Sequence, residues 1–350
     1  MLGTVAVVLS VLLAPGCPRA EAPALVRVQD LRKVMGTYMA ITVYARDEAA
    51  GHRAIAAAFA RVEELEAALS NYRPESDVSK LNRAAGGPPM AIGRDLWLCL
   101  RRSIEGGAMT DGAFDVTIGP LIILWKAAWK GGHLPTGAEI AAARALVDYR
   151  AVRLDPDGQH AQLPRPGMRL DLGGNGKGFV VDQVVAVLRS LGIEAALVAA
   201  AGDIYALGAP PGRPGWTIGV RDPNRARGPL VDPLDMPILA RPIVLRDRAI
   251  STSGDYEQYG VIEGRRYSHI IDPRTGQPVA HMASVTVVAP DATTSDTLDT
   301  ALTVLGPQAA IEFAAKHPGI EVMVFHEKDG KLEVLRSPGF DKLEAKEANP

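Results

Sequence analysis

Cysteine is almost absent: the 350 residues contain two, Cys17 and Cys99. With Cys17 in an apolar leader, no intramolecular disulfide is available, so stability has to come from the core. An excess of one charge is missing too, since 38 Lys and Arg stand against 40 Asp and Glu with no long single-sign run. That leaves no electrostatic footprint for nucleic acid and excludes a polyanion partner. The seven histidines show no HxxxH or similar spacing, which leaves a zinc centre without support. No GxSxG elbow or Ser/His/Asp hydrolase arrangement is present, nor an internal repeat or low-complexity domain. What the chain does have is 47% hydrophobic content, enough for a large core, in a length beyond that at which single cores usually stop growing. Two intimately packed subdomains are therefore expected. Cys99 lies in the apolar run Leu96-Trp97-Leu98-Cys99-Leu100 and reads as a small buried hydrophobe.

Long hydrophobic runs are also lacking. Residues 2–13 are apolar but too short for a mature membrane span, and a Pro/Ala/Glu-rich stretch follows to Pro23. This reads as an export signal and linker over residues 1–23. Gly16-Cys17 after Leu12-Leu13 resembles a bacterial lipobox, although Ala14 stands where Leu is usual and no Lys or Arg precedes the run. The expectation is an exported chain, lipid-anchored through Cys17 to the inner membrane and facing the periplasm.

Periodicity predicts a mixed α/β chain. Residues 26–45 read as strands broken at Met35-Gly36-Thr37, and residues 49–69 as an amphipathic helix through Ile55, Phe59, Val62, Leu65 and Leu69. Ser76 opens a short helix, and a longer one runs over 94–104 until Gly106-Gly107 stops it. Phe179, Val180, Val184, Val185, Leu188 and Leu191 mark a second strong helix. Residues 195–201 and 204–207 read as buried strands around Gly202-Asp203, and 210–237 as a surface excursion. Strands are expected at 238–245, 267–271 and 284–288, then two helices and a strand at 320–325.

Three segments carry candidate chemistry. DLGGNGKG (171–178) invites an anion-binding reading, because successive glycines let backbone N–H groups approach an anion at a helix N-terminus. It matches neither the Walker nor the dinucleotide spacing, and a tight strand-to-helix turn is the plain alternative. If residues 292–305 are helical, Asp296, Asp299 and Thr300 project within about 100° of one another, opposite Leu298, Ala301, Leu302 and Leu305. That oxygen set suits Mg²⁺, but it also fits a solvated helix face, with Ser295 or Asp296 as the cap. His269 sits in an apolar strand pattern, either as a structural group or as a catalytic base, and Ser253-Gly254-Asp255-Tyr256 reads as a turn.

Taken in order, Met35-Gly36-Thr37, LSNYRPESDVSKLN (69–82), TDGAFDVTIGPLIILW (110–125), DLGGNGKGFVVD (171–182), AGDIYALG (201–208), STSGDYEQY (251–259), SHIIDPRTGQPV (268–279) and SDTLDTAL (295–302) resemble the ApbE-type FAD:protein FMN transferase family. The resemblance implies one domain over 24–345, made of two packed α/β subdomains with FAD bound between them. It implies Mg²⁺-dependent transfer of the FMN moiety of FAD to a Thr or Ser hydroxyl of an acceptor protein, with release of AMP. The implied acceptor is a flavinylated electron-transfer subunit at the membrane.

By similarity, Asp296, Asp299, Thr300 and the Gly174 carbonyl would hold the metal. Asp171 and Lys177 would contact FAD, and Met35, Tyr72, Arg73, Ala113, Phe114 and Ile271 would frame its rings or ribityl chain. His269 is the implied base. The chain departs from the family at Gly174, Asn175 and Gly176, where Ala/Thr, Ile/Val and Ala are usual, and at Ala201, where Gly is common. A looser glycine loop is the expected consequence. An FAD pyrophosphatase and a non-catalytic FAD-binding lipoprotein are the alternative readings.

Overall fold

The computed structural model describes residues 24–220, 242–254, 259–280, 284–329 and 331–344. The leader with Cys17, the residues 221–237 of the expected excursion, residues 238–241 of the strand expected at 238–245, and Asp255 with Tyr256 lie outside the described residues. The helices are α1 (Glu48–Leu69), α2 (Asp77–Arg83), α3 (Arg94–Met109), α4 (Gly119–Gly131), α5 (Gly137–Arg144), α6 (Gly176–Ser190), α7 (Ala292–Leu305) and α8 (Pro307–Lys316). The strands are β1 (Val26–Val34), β2 (Thr37–Ala45), β3 (Met90–Ala91), β4 (Arg153–Leu154), β5 (His160–Gln162), β6 (Ala195–Ala200), β7 (Asp203–Leu207), β8 (Trp216–Ile218), β9 (Ile243–Leu245), β10 (Arg248–Gly254), β11 (Tyr259–Ile262), β12 (Arg265–Ser268), β13 (Ser284–Ala289), β14 (Glu321–Lys328) and β15 (Lys331–Arg336).

An eight-stranded sheet in the order β1-β2-β6-β7-β10-β13-β14-β15 organises the chain, with every neighbouring pair antiparallel. The fold is thus mixed α/β around an antiparallel sheet. Alternation along β2 explains how the sheet serves two layers: Met39, Ile41 and Val43 enter the core shared with α1 and α6, while Tyr44 joins Trp216 and Ile250 on the opposite face. α1 starts where Asp47 accepts the Ala50 N–H at 2.6 Å, and it buries Ile55, Phe59, Val62 and Leu65 as one stripe. Each such side chain contributes about 1.5–3 kcal/mol on leaving water.

Several elements differ from the sequence expectation, among them the surface excursion expected over 210–237, where Trp216 and Ile218 of β8 are buried. Gly106 and Gly107 do not end α3, which runs on to Met109. A Cβ at Gly106 would lie 2.5 Å from Thr297 Cγ2, and one at Gly107 would lie 2.7 Å from the Tyr149 ring. These glycines are close-packing positions that let α7 and the Tyr149 turn reach the helix. The strand expected at 267–271 ends at Ser268, so His269 stands in the bend after β12 rather than within a strand. Strands β10 and β15 and helix α5, started by a Thr136/Glu139 capping box, lack a strong periodic signature and went unanticipated.

Candidate active site and metal centre

Every candidate residue named from the sequence lines a single cavity of about 990 Å³. Met35 reaches it from the β1–β2 turn, where Met35 and Gly36 both adopt positive φ (52° and 74°) as a two-residue hairpin requires. Tyr72 and Arg73 come from the loop after α1, with Lys126 of α4 5.8 Å from the Tyr72 ring centre. Ala113 and Phe114 come from the loop after α3. That loop is held by buried Asp115, which accepts from Thr117 N at 2.8 Å, Thr117 Oγ1 at 2.6 Å and Tyr149 N at 2.9 Å. His269, half-buried, and Ile271 enter from the segment after β12. The turn behind them closes with Gly276 N donating to Asp272 O at 2.7 Å, as the Asp-Pro-x-Thr-Gly sequence anticipates.

The glycine-rich loop and α7 meet at the acidic end of this set of residues. Asp171 Oδ1 accepts from Gly173 N at 2.8 Å, a local turn that shapes the loop. Gly174 packs so closely that a Cβ would stand 3.1 Å from Phe114 Cε2 and 3.3 Å from Thr300. At Gly178 a Cβ would lie 2.1 Å from the Ala292 carbonyl oxygen, so only glycine lets α6 touch α7 there. The anion that the loop's amides meet is the protein's own: Gly178 N–H donates to Asp296 Oδ2 at 2.8 Å. Lys177 is engaged likewise, with Nζ 2.6 Å from Asp203 Oδ2 and 3.3 Å from Asp296 Oδ1.

Asp296 and Asp299 are each 2% exposed, which overturns the solvated-face alternative for α7. Nor do Ser295 or Asp296 cap the helix: Asp291 does, accepting from Thr294 N at 2.8 Å. Asp203, Asp296 and Asp299 each offer an oxygen within 4.8 Å of the others. Thr300 Oγ1 donates to Asp299 Oδ1 at 3.2 Å. Burial first, then repulsion from Asp203, pushes the Asp296 carboxyl up to about 7, against the pull of Lys177. Burial and the neighbouring Asp296 and Asp203 hold Asp299 well above the usual carboxylate range, with Ser253 hydrogen bonding in opposition. For Lys177, burial opposes the charge, but Asp203 and Asp296 outweigh it and hold the ammonium well above its ordinary value.

Among the described residues one ammonium faces three buried carboxyls, so the set carries net negative charge once a cation displaces their protons. The donors are all hard oxygens, so the set fits Mg²⁺ and not Zn²⁺. Asp203 and Ser253 were missed in the sequence reading. The one signal for Asp203 is a lone carboxylate opening an otherwise apolar strand next to Gly202.

A sequence profile of the ApbE family matches residues 35–324. Among curated proteins, an FAD:protein FMN transferase of Klebsiella pneumoniae is 32% identical over 306 residues, 87% of this chain and 90% of its own. One of Treponema pallidum is 33% identical over 312 residues, 84% of this chain and 83% of its own. The solved flavin transferase ApbE from Vibrio cholerae shares the fold with a TM-score of 0.76 at 30% identity, over 91% of this chain and 99% of that one. The apo flavinyl transferase ApbE of Pseudomonas stutzeri gives a TM-score of 0.78 at 28% identity, over 92% of this chain and 98% of that one. The match thus spans the glycine loop, the acidic helix and the sheet between them, and the chain belongs to the ApbE family.

Proposed function

We propose that this chain transfers the FMN moiety of FAD to a Thr or Ser hydroxyl of an acceptor protein and releases AMP. One observation carries the reading: a buried cluster of hard oxygen donors, a glycine-rich loop, aromatic walls and a half-buried histidine line the same cavity. Asp296, Asp299, the Thr300 hydroxyl and the Gly174 carbonyl are the groups to hold Mg²⁺, with Asp203 beside them. Bound there, the ion would neutralise pyrophosphate charge as the bridging bond breaks.

The rest of the chemistry belongs to the protein and its substrates. The acceptor hydroxyl oxygen bonds to the phosphorus of the FMN half, and the bond from that phosphorus to the bridging oxygen breaks. AMP leaves with the bridging oxygen and the electron pair, and the hydroxyl proton passes to the His269 imidazole. Lys177, fixed between Asp203 and Asp296, stabilises the cluster's negative charge and keeps its oxygens in place before substrate arrives. Met35, Tyr72, Arg73, Ala113, Phe114 and Ile271 supply the surface for the flavin and ribityl chain, which orients the pyrophosphate for in-line attack.

Incubation with FAD, Mg²⁺ and a peptide carrying an acceptor threonine tests this reading. The expected product is peptide with FMN attached, together with an equal amount of AMP. Free FMN with unmodified peptide would instead make the protein an FAD pyrophosphatase, and tight FAD binding without AMP would make it a flavin carrier. An acceptor that is a membrane electron-transfer subunit fits the export and lipid anchoring through Cys17 read from the leader. Among the described residues no helix is long and apolar enough to cross a membrane. Cys17→Ala, scored by membrane fractionation, tests the anchor: release of the protein into the soluble fraction is expected.

A further inference from the structure

α6 and α7 run against each other where the acidic cluster forms, and they are fastened at two points. At one of them Gly178 N–H and Lys177 Nζ both bond Asp296. At the other, Asp182 of α6 accepts three hydrogen bonds from the first residues of α7. Its Oδ1 takes Ala292 N–H at 2.8 Å, and its Oδ2 takes Thr293 N–H at 2.8 Å and Thr293 Oγ1–H at 2.5 Å. The helix already has its own cap in Asp291, so Asp182 adds a link between two helices rather than a first start signal.

Thr293 sits one turn before Asp296, and Gly178 one turn before Asp182. A slip of α7 along α6 would therefore break both fastenings and displace Asp296, Asp299 and Thr300 together. We propose that Asp182 is a positioning residue for the metal site: it fixes the register of α7 on α6, and with it the spacing of the oxygens around the cation. The inference rests on the metal reading given above.

Asp182 touches neither the cavity nor the cluster, so a merely structural role would lower stability without altering affinity for the ion. Isothermal calorimetry with Mg²⁺ on the FAD-free protein distinguishes the two. Asp182→Asn keeps the side-chain volume, but its amide nitrogen cannot accept an N–H, and Mg²⁺ affinity should fall about 10- to 100-fold with an unchanged far-ultraviolet spectrum. Thr293→Val keeps both backbone hydrogen bonds and should lose about 2- to 10-fold, which carries the test if the first variant does not fold. In turnover, AMP release by both variants should recover at saturating Mg²⁺. Unchanged Mg²⁺ affinity in Thr293→Val and, where it folds, Asp182→Asn would overturn the inference. Asp296→Asn separates the two levels. If that variant binds Mg²⁺ as tightly as wild type, the metal reading falls and this inference with it. If it loses the ion while the Asp182 and Thr293 variants keep theirs, only this inference falls.

Discussion

Removing one charge from the acidic cluster should stabilise the metal-free protein and abolish its response to Mg²⁺. The perturbation is Asp296→Asn, which keeps size and leaves an amide oxygen for the Gly178 N–H. Lys177 retains Asp203 at 2.6 Å. In the folded chain the Asp296 carboxyl is raised from 3.8 to about 7, and at 1.36 kcal/mol per unit this is about 4 kcal/mol of unfavourable ionisation. Below pH 3.8 the group is protonated in the folded and unfolded chain alike, and it costs nothing. Stability falls as pH rises from there and levels off above about 7, where the full cost is felt.

At pH 8.5 in EDTA the variant should therefore be more stable by about 2–4 kcal/mol, which at about 2 °C per kcal/mol raises Tm by about 4–8 °C. Wild type should regain a comparable amount when Mg²⁺ is added, about 2.7 kcal/mol at a hundredfold excess over Kd. Calorimetric melting of both proteins, with EDTA and with Mg²⁺, reads all four values. A variant less stable than wild type in EDTA, or one with an undiminished Mg²⁺ gain, would refute the reasoning. The same logic sets the sign of the pH dependence. Metal binding must displace the proton from Asp296, so Mg²⁺ affinity should weaken as pH drops below about 7.

Replacing His269 with Asn should reduce AMP release and peptide labelling strongly, about 10²- to 10⁴-fold, while FAD binding measured by fluorescence persists; undiminished turnover would make the residue structural. Gly178→Ala places a methyl 2.1 Å from the Ala292 carbonyl oxygen and should cost about 3 kcal/mol or more in urea melts, with loss of Mg²⁺ binding. Ala201 holds φ at 53°, a region that L side chains rarely adopt, so Ala201→Gly should raise stability by about 1 kcal/mol in the same assay. Burial pushes the Cys99 thiol up to about 12, so it should ignore thiol reagents at pH 8 until denaturant is added.

How far the sequence could be read depended on whether a residue's partner lay close by in the chain. Periodic burial made α1, α6 and β13 legible, because the stripe or run is itself the evidence of a facing core. The Gly106-Gly107 pair looked like a stop because a glycine that breaks a helix and one that admits a neighbour are the same letters. What decides is Thr297, almost two hundred residues on, for Gly106, and Tyr149 for Gly107. The polar face of α7 looked like solvent for a similar reason: its burial depends on Lys177, Gly178 and Asp203, none of them near it in sequence. Resemblance bridged that gap for Asp296 and Asp299 by bringing the loop and helix together as one motif set. It left out Asp203, which sits in the AGDIYALG segment that carries part of the resemblance but to which no ligand role was attached.

The glycine loop shows where the sequence expectation needs revision. Glycines at 174 and 176 flanking Asn175 imply a loop with little intrinsic rigidity, yet several loop residues are restrained, one by a turn within the loop and three by contacts outside it. Gly173 N–H is tied to Asp171, Gly174 is wedged between Phe114 and Thr300, and Gly178 N–H is bonded to Asp296. Asn175 is fully buried, and its Nδ2 donates at 2.7 Å to Ser103 Oγ, which in turn donates to the Cys99 carbonyl. A polar side chain at this site thus joins the loop to α3 through a buried hydrogen-bonded pair, a directional restraint that an aliphatic contact lacks. Backbone entropy favours a loose loop, but these contacts oppose it from α3 and α7. The chain can therefore carry unusual loop residues and still hold a carbonyl and an acidic helix in one fixed arrangement.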